Sequence, residues 1–453
     1  MDDAQDRAGQ TVDESTLRRA IAACAIGNAT EWFDYATYGF LAATLGAVFF
    51  PSGNETAQLL SAFAVFALTF FVRPLGGVFF GPLGDRIGRQ RVLATTILLM
   101  AGATFLIGML PGYATVGILA PILLLLLRLV QGFSAGGEYG GASTFMVEYA
   151  PDERRGYYAS WLEFGTLVGF SLGAGLVTFM TFLLSQDAMT SWGWRIPFLV
   201  ALPLGVVGLY LRTRLEDTPG FRALESAGEV AQSPLRELFR SNWDALLLCG
   251  GIVIIYNLAN YTLLTYMPSY LSDSLGISDT AGLLLLFIAI LVMLVVITFV
   301  GRFSDRVGRK PVLIGAMIGF VVLTYPAFLL ISVGSWVSVM AGLLIFALLQ
   351  VLLLGTLPAT LPALFPTKER YSGFAISYNV STAAFGGTAP FVATALVSAT
   401  GNEFMPAFYV MVAALVSFIP IWLMAETAKR PLRGSVALNA APAGGAQARP
   451  RVT

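Results

Sequence analysis

Twelve apolar stretches, each long enough to cross a lipid bilayer as a helix, recur from one end of the chain to the other. A helix needs about 20 mostly apolar residues to span the hydrocarbon core of a membrane. Charged residues make up only 12% of the 453 residues, about half the share in an ordinary soluble domain, which excludes soluble globular, disordered and coiled-coil proteins. We therefore predict an all-α integral membrane protein with spans at 20–48, 57–81, 91–111, 117–148, 158–184, 196–211, 245–271, 281–301, 311–332, 336–364, 372–398 and 405–425.

The positions of the lysines and arginines predict how these helices are oriented. Arg73 and Arg128 fall inside spans and Arg195 lies beside the loop between spans five and six, whereas the others lie in the termini or in alternate loops. The cytoplasmic loops of membrane proteins carry the excess of Lys and Arg. We therefore predict that both termini are cytoplasmic, which requires an even number of spans.

Two cytoplasmic loop motifs occur twice in the chain. GPLGDRIGRQR starts at Gly81 and its counterpart GRFSDRVGRKP starts at Gly301, and nearly the same separation relates APDERRGYYAS around Pro151 to FPTKERYSGFAIS around Pro366. This repeat predicts two parallel six-helix bundles, with the substrate site of a secondary transporter between them. The predicted parts are a cytoplasmic tail (1–18), two bundles (19–211 and 244–426), a charged cytoplasmic connector (212–243) and a disordered cytoplasmic tail (427–453).

The remaining composition narrows the function classes. The formal net charge is zero, which argues against nucleic-acid binding. The two cysteines, Cys24 and Cys249, lie in apolar stretches and have neither the spacing of a disulfide framework nor that of metal ligands. Histidine is absent, so no catalytic triad can be assembled and we expect no enzyme, no cofactor or metal and no obligate protein partner. The spacing of Gly132, Gly136 and Gly140 is typical of close helix packing in lipid rather than of a nucleotide-binding loop.

At the loop motifs the sequence resembles the major facilitator superfamily, whose signature follows spans two and eight. GNATEWFDYATYGF (27–40), RPLGGVFFGPLGDRIGRQ (73–90), QGFSAGGEYGGAS (131–143) and WGWRIPFLVALPLG (192–205) resemble its metabolite:proton symporter subfamily. LLTYMPSYLS (263–272), LPALFPTKERYS (361–372) and ETAKRPLRG (426–434) are most similar to the members that carry proline and betaine.

The resemblance implies a proton-coupled symporter of the inner membrane that imports a small zwitterionic osmolyte, such as proline or glycine betaine, by alternating access. Two alternatives stay open. One is a proton symporter of a small organic acid of the 2-oxoglutarate, citrate or shikimate type, for which Arg73 is the candidate second cation. The other is a sensor that binds solute without net flux.

Ionisable residues inside membrane spans are candidates for functional sites because they are costly to bury. Since the chain has no histidine, the coupled proton requires a carboxylate, and the candidates are Glu31, Asp34, Glu138 and Glu163. A zwitterion needs a cation for its carboxylate and aromatic faces for its ammonium. By the resemblance, spans one, four, seven and ten line the cavity, so the predicted substrate-binding residues are Asn28, Glu31, Trp32, Tyr35, Tyr38, Arg128, Gln131, Tyr139, Tyr256, Asn257 and Tyr261.

The loop motifs suggest a different role for their charged residues. By the resemblance, these charges latch the two halves together in the outward-open state; their basic members also determine topology. The predicted gating-loop residues are Asp85, Arg86, Arg89, Glu148, Asp305, Arg306 and Arg309.

Overall fold

A computed structural model describes residues 14–50, 55–231 and 234–434 of the chain, and all the regular structure in these ranges is helical. The long helices of this described part, which we number in chain order, are α1 (Glu14–Phe40), α2 (Glu55–Ile87), α3 (Arg89–Met109), α4 (Leu119–Tyr149), α5 (Arg155–Leu183), α6 (Arg195–Thr213), α7 (Trp243–Ser272), α8 (Asp279–Val307), α9 (Arg309–Ser332), α10 (Trp336–Thr360), α11 (Arg370–Thr400) and α12 (Met405–Leu423).

Eleven helices of the described residues, α2 to α12, are long and apolar enough to cross a membrane. Helix α1 is more polar, because its buried surface includes Asn28, Glu31 and Asp34. The first predicted span, 20–48, is divided at Leu41 into α1 and a short helix at Ala42–Phe49. Helices α7 and α11 are widened by π-helical turns at 262–266 and 382–386, and a further π-helical turn at 270–274 extends just past the end of α7.

Polar side chains lie inside the protein and large apolar side chains cover its outside. Among the residues that the structure describes, seven arginines rank with the largest fully buried side chains, whereas Phe182 is 86% and Val337 is 81% exposed. This pattern is the reverse of a soluble core and suits a lipid environment, in which buried charges are paired and apolar groups face the hydrocarbon. The buried arginines are Arg73, Arg89, Arg128, Arg155, Arg212, Arg309 and Arg370.

Small residues bring helix backbones into direct contact. A Cβ added at Gly132 would lie 2.3 Å from the Thr69 carbonyl oxygen, and one at Gly136 would lie 2.2 Å from that of Arg73, so α4 packs tightly on α2. Gly140, the third residue of this spacing, packs instead on Ala375 of α11. The glycine spacing therefore predicts close helix packing correctly, and one of its members packs against the other half of the chain.

The sequence repeat is also a structural repeat. Helices α3 and α9 begin at Arg89 and Arg309, at equivalent positions of the first pair of loop motifs, and α5 and α11 begin at Arg155 and Arg370, at equivalent positions of the second pair. The starts of these four helices lie on one side of the protein, which we call the loop-motif face. The N-terminal half therefore comprises α1 to α6 and the C-terminal half α7 to α12.

The segments outside the two halves are partly helical. The predicted connector, 212–243, includes short helices at Pro219–Ser226 and Pro234–Ser241. Helix α1 begins at Glu14, inside the predicted tail 1–18, and the rest of that tail lies outside the described residues. Of the predicted disordered tail, residues 427–434 pack on the loop-motif face, where the Arg433 carbonyl accepts a hydrogen bond from Thr367 N at 2.9 Å; residues 435–453 lie outside the described part.

Candidate functional site

On the loop-motif face, each half supplies a carboxylate that caps a helix of the other half. Asp85, at the end of α2, accepts hydrogen bonds from Ser372 N at 2.8 Å and Ser372 Oγ at 2.6 Å, at the start of α11. Asp305, at the end of α8, accepts from Gly156 N at 2.7 Å and Tyr157 N at 2.8 Å, at the start of α5. A carboxylate at a helix N-terminus satisfies free N–H groups and interacts favourably with the helix dipole. These reciprocal caps hold the two halves together.

Buried ion pairs reinforce this contact. Glu148 of α4, whose side chain is 1% exposed, lies 2.7 Å from Arg370 Nη1 of the other half and 3.5 Å from Arg89 Nη2. Arg89 also donates to the Thr367 carbonyl at 2.7 Å, and Arg309 lies 3.7 Å from Asp305. Five predicted gating residues thus meet on this face, whereas the side chains of Arg86 and Arg306 are exposed.

A second pair of carboxylates caps the helices that follow the loop motifs. Gly88 and Gly308 adopt positive φ angles of 102° and 109°, which favour glycine. Directly after them, Asp217 accepts from Arg89 N at 3.0 Å, and Glu426 accepts from Arg309 N at 3.1 Å. Burial raises the pKa of Asp217. For Glu426, burial acts in the same direction, but hydrogen bonds from backbone N–H groups outweigh it and lower the pKa.

Glu369 precedes α11 at the same face and lies beside Glu237 of the connector. Burial, together with the neighbouring carboxyl group of Glu237 and the charge of Asp85, raises the pKa of Glu369 to about 7, although Lys368 opposes the shift. The folded protein binds this proton more tightly than the unfolded chain does, so protonation of Glu369 stabilises the folded state. This stabilisation is complete below the unfolded-state pKa of about 4.5 and is lost as pH rises through about 7.

We therefore expect the thermal unfolding temperature of the purified protein to decrease as the pH is raised from 5 to 8. The Glu369→Gln variant should lose part of this pH dependence. The contribution is at most about 3 kcal/mol, from the pKa difference. Differential scanning fluorimetry in detergent measures both curves. Glu229→Gln, which removes the exposed partner of Lys368, is the control and should keep the wild-type pH dependence. Parallel curves for wild type and Glu369→Gln would contradict the assignment.

Deeper in the protein, α1 and α4 form a charge cluster within the N-terminal half. Arg128 Nη1 lies 2.9 Å from Asp34 Oδ2 and donates to Gln131 Oε1 at 2.8 Å, while Gln131 Nε2 donates to Asp34 Oδ1 at 2.8 Å. The Arg128 guanidinium lies 4.1 Å from the centre of the Tyr38 ring. Every member of this cluster is buried, and its polar contacts remain inside one half.

A second charge cluster joins the two halves. Arg73 of α2 lies 3.1 Å from Glu31 Oε1, donates to Tyr35 Oη at 3.1 Å, and donates across the interface to Asn379 Oδ1 of α11 at 3.1 Å. Asn379 donates in turn to the Gly136 carbonyl at 2.7 Å. Apart from the ion pair, neither carboxylate oxygen of Glu31 has a hydrogen-bond partner among the described residues. Separation of the halves would therefore disturb the environment of Arg73 and, through it, that of Glu31.

Aromatic rings and the fourth predicted carboxylate lie between the halves. Glu163 Oε1 of α5 accepts hydrogen bonds from Tyr139 at 2.6 Å and from Tyr256 of α7 at 2.8 Å. The Tyr378 ring of α11 stacks on Tyr139 with a centroid distance of 4.3 Å. Trp32 and Tyr261, whose ring centroids are 6.5 Å apart, also meet across the interface.

Three predicted site residues have partners within a single half. Asn28 donates to the Leu162 carbonyl at 2.8 Å, and Asn257 donates to Thr382 Oγ1 at 3.2 Å. Glu138 forms an ion pair with Arg212 and accepts from Thr96 Oγ1 at 2.5 Å. Their polar contacts hold helices of the same half together rather than joining the two halves.

The sequence interpretation missed several residues of these clusters. Arg212 lies just after the predicted end of span six, where arginine also fits a cytoplasmic loop. Tyr378 and Asn379 lie in a span without charged residues, so they gave no sequence signal. Asp217 and Glu426 did have one, because each precedes a threonine just after the last helix of its half.

Family membership follows from the sequence. Residues 20–238 and 222–435 each match the family described as sugar (and other) transporters. The chain belongs to this family. With eleven membrane-length helices among its described residues, this transporter is a multi-pass protein of the inner membrane.

Several curated transporters are similar over most of their length. A glycine betaine/proline/ectoine/pipecolic acid transporter of Dickeya dadantii is 47% identical over 433 residues, which cover 94% of this chain and 86% of the relative. The proline/betaine transporter of Salmonella typhimurium is 46% identical with the same coverage. An ectoine/proline transporter of Corynebacterium glutamicum is 40% identical, with 94% and 87% coverage.

The fold is similar to that of a solved transporter. The proton:xylose symporter XylE of the major facilitator superfamily superimposes with a TM-score of 0.79, covering 93% of this chain and 98% of the other, at 16% sequence identity. The all-helical major facilitator fold predicted from the repeated loop motifs is thereby confirmed.

Proposed function

We propose that the chain is a proton-coupled symporter that imports a small zwitterion such as proline or glycine betaine by alternating access. The observation that carries this proposal is the similarity, over 94% of the chain, to transporters named for proline and betaine. The interface between the halves supports it, since it places a cation, Arg73, close to a group of aromatic rings. The proton is the coupling ion, and no cofactor or protein partner is part of the mechanism.

The proposed topology has twelve membrane helices, with α1 as the twelfth, and both termini in the cytoplasm. Helix α1 is polar for a membrane span because its buried side chains contribute to both charge clusters. The halves are α1 to α6 and α7 to α12, so the proposed connector is the segment between Thr213 and Trp243 and is slightly shorter than the 212–243 predicted from the sequence. The loop-motif face is then cytoplasmic, and its capping carboxylates and ion pairs close the transporter on that side.

Arg73 is the residue we propose for the substrate carboxylate. Arg128 is held by Asp34 and Gln131 inside one half. Arg73 instead lies at the interface, where its bond to Asn379 exchanges for a substrate carboxylate when the halves move. An arginine fork suits a carboxylate, because two N–H groups can bind its two oxygens. This assignment replaces Arg128 as the proposed first contact.

Glu31 is the residue we propose for the coupled proton. Burial disfavours the charged form of a carboxylate, and an adjacent arginine favours it. Protonation of Glu31 would release Arg73 for the substrate carboxylate, and loss of the substrate would restore the ion pair. The proton and the substrate thus bind together because both act on the same arginine.

We expect concentrative uptake of proline and glycine betaine when the purified protein is reconstituted in liposomes. Symport of a neutral zwitterion with one proton gains about 2.3 kcal/mol per 100 mV and about 1.4 kcal/mol per pH unit. At 100 mV and one pH unit these gradients support roughly 500-fold accumulation, whereas passive transport gives none. Labelled uptake should collapse on addition of a protonophore. Efficient uptake of 2-oxoglutarate or shikimate without zwitterion uptake would instead assign the protein to organic acids, and binding without flux would indicate a sensor.

A further inference from the structure

Glu163 is a buried carboxylate that the proposed coupling through Glu31 and Arg73 does not use. It is 0% exposed and lies on α5, where tyrosines from both halves donate to its Oε1 atom. Its Oε2 atom has no hydrogen-bond partner in the part of the chain that the structure describes. Glu31, Asp34 and Glu138 each lie against an arginine, but Glu163 forms no ion pair within the described ranges. A buried carboxylate without a cation is costly, so this position favours the arrival of a positive charge.

Three tyrosine rings lie close to this carboxylate, and two of them donate hydrogen bonds to it. Tyr139 and Tyr378 stack at 4.3 Å, and Tyr256 lies 5.9 Å from Tyr378. Aromatic faces attract ammonium groups, and several rings around one cation form the cage that binds quaternary ammonium. The ring set comes from α4, α7 and α11, so it is complete only when residues of both halves approach each other.

The carboxylate of a zwitterion has its proposed partner, Arg73, beside the residue of α11 that follows Tyr378. Asn379, which follows Tyr378, accepts a hydrogen bond from Arg73. The cation-binding rings and the anion-binding arginine therefore meet neighbouring residues of α11.

We propose that Glu163 is the counter-ion of the substrate ammonium, within a cage formed by Tyr139, Tyr256 and Tyr378. This proposal rests on the proposed zwitterion transport and names the group that selects zwitterions. An organic anion of the same shape would place no positive charge beside Glu163. The negative charge of Glu163 would then remain without a counter-ion. The cage therefore rejects simple acids, while Arg73 alone would accept them.

Glu163→Gln tests this role with two probes of nearly the same shape. Glycine betaine carries a trimethylammonium group, and 3,3-dimethylbutanoate replaces it with an uncharged tert-butyl group. Competition against labelled proline in liposomes gives the inhibition constant of each. In the wild type, glycine betaine should compete far better than the acid. In Glu163→Gln this preference should fall by about 30-fold, because one partner of a buried charge pair is lost.

Matched variants separate selection from other roles. Glu138→Gln also removes a buried membrane carboxylate, but one paired inside a single half, and it should keep the wild-type preference. If Glu163→Gln does not fold, Tyr378→Leu should lower the same preference while Tyr378→Phe, which keeps the ring, should preserve it.

Three results would overturn the proposal. The first is an unchanged preference for glycine betaine over the acid in a folded Glu163→Gln protein. The second is loss of accumulation in Glu163→Gln with the preference intact, which would make Glu163 a proton carrier. The third is an equal preference in Tyr378→Leu and Tyr378→Phe, which would show that the ring of Tyr378 does not bind the ammonium. A wild-type protein that takes up no zwitterion would refute the proposed function itself, so the two failures are distinguishable.

Discussion

Replacing Glu31 by glutamine is expected to reduce proline accumulation in energised liposomes from roughly 500-fold to about onefold. Glutamine preserves the size of the side chain but cannot exchange a proton, and it leaves Arg73 permanently free for substrate. The variant should therefore bind proline and move it down its gradient. Exchange of external labelled proline for internal unlabelled proline measures this uncoupled movement and should persist.

The neighbouring carboxylates provide the comparison. Asp34 and Glu138 are equally buried, but their polar partners lie inside the N-terminal half and do not join the two halves. Asp34→Asn and Glu138→Gln should accordingly retain accumulation in whatever fraction of the protein folds. Loss of accumulation in Asp34→Asn but not in Glu31→Gln would assign the proton to Asp34 and refute the coupling through Arg73.

Replacing Arg73 by glutamine is expected to abolish uptake and to lower the free energy of unfolding by about 3–5 kcal/mol, the cost of leaving one partner of a buried ion pair without the other. Glu31 is 1% exposed, so solvent cannot compensate for the missing arginine. Denaturant titration of the detergent-solubilised protein measures this loss, and liposome uptake measures the functional one.

The double variant Glu31→Gln/Arg73→Gln separates stability from function. Removing both charges should recover most of the lost stability, since two neutral amides can hydrogen-bond to each other and to Tyr35. Uptake should not return, because the anion-binding group is still missing. Recovery of uptake in the double variant would rule out Arg73 as the carboxylate ligand, and additive losses of stability would show that the two residues do not form an energetic pair.

The sequence was sufficient for the fold because the membrane leaves few alternatives. Long apolar stretches must be helices in lipid, and two copies of the same loop motif define two halves of the same design. Helix ends were less accurate, as at α1, which starts at Glu14 and is divided near Leu41. That segment has both polar and apolar residues, so hydropathy alone does not fix where its helix begins or breaks.

The candidate site was predicted less completely than the fold. Spacing along one helix indicates which residues share a face, and it correctly grouped Arg128 with Gln131. It does not indicate which helix of the other half approaches that face. Arg73 was therefore interpreted without its cross-interface partner Asn379, and Glu138 without Arg212. These partners are far apart in the chain, and such pairings are determined only by packing.

The reciprocal caps make the interface between the halves resemble that of a symmetric dimer. Asp85 acts on α11 as Asp305 acts on α5, so equivalent surfaces of the two halves contact each other, as in the isologous interface of a twofold homodimer. Two copies of one helical unit thus supply both caps of this interface without any additional element. The connector tethers the two halves, which keeps the local concentration of the partner high, and it also supplies Asp217, which caps α3.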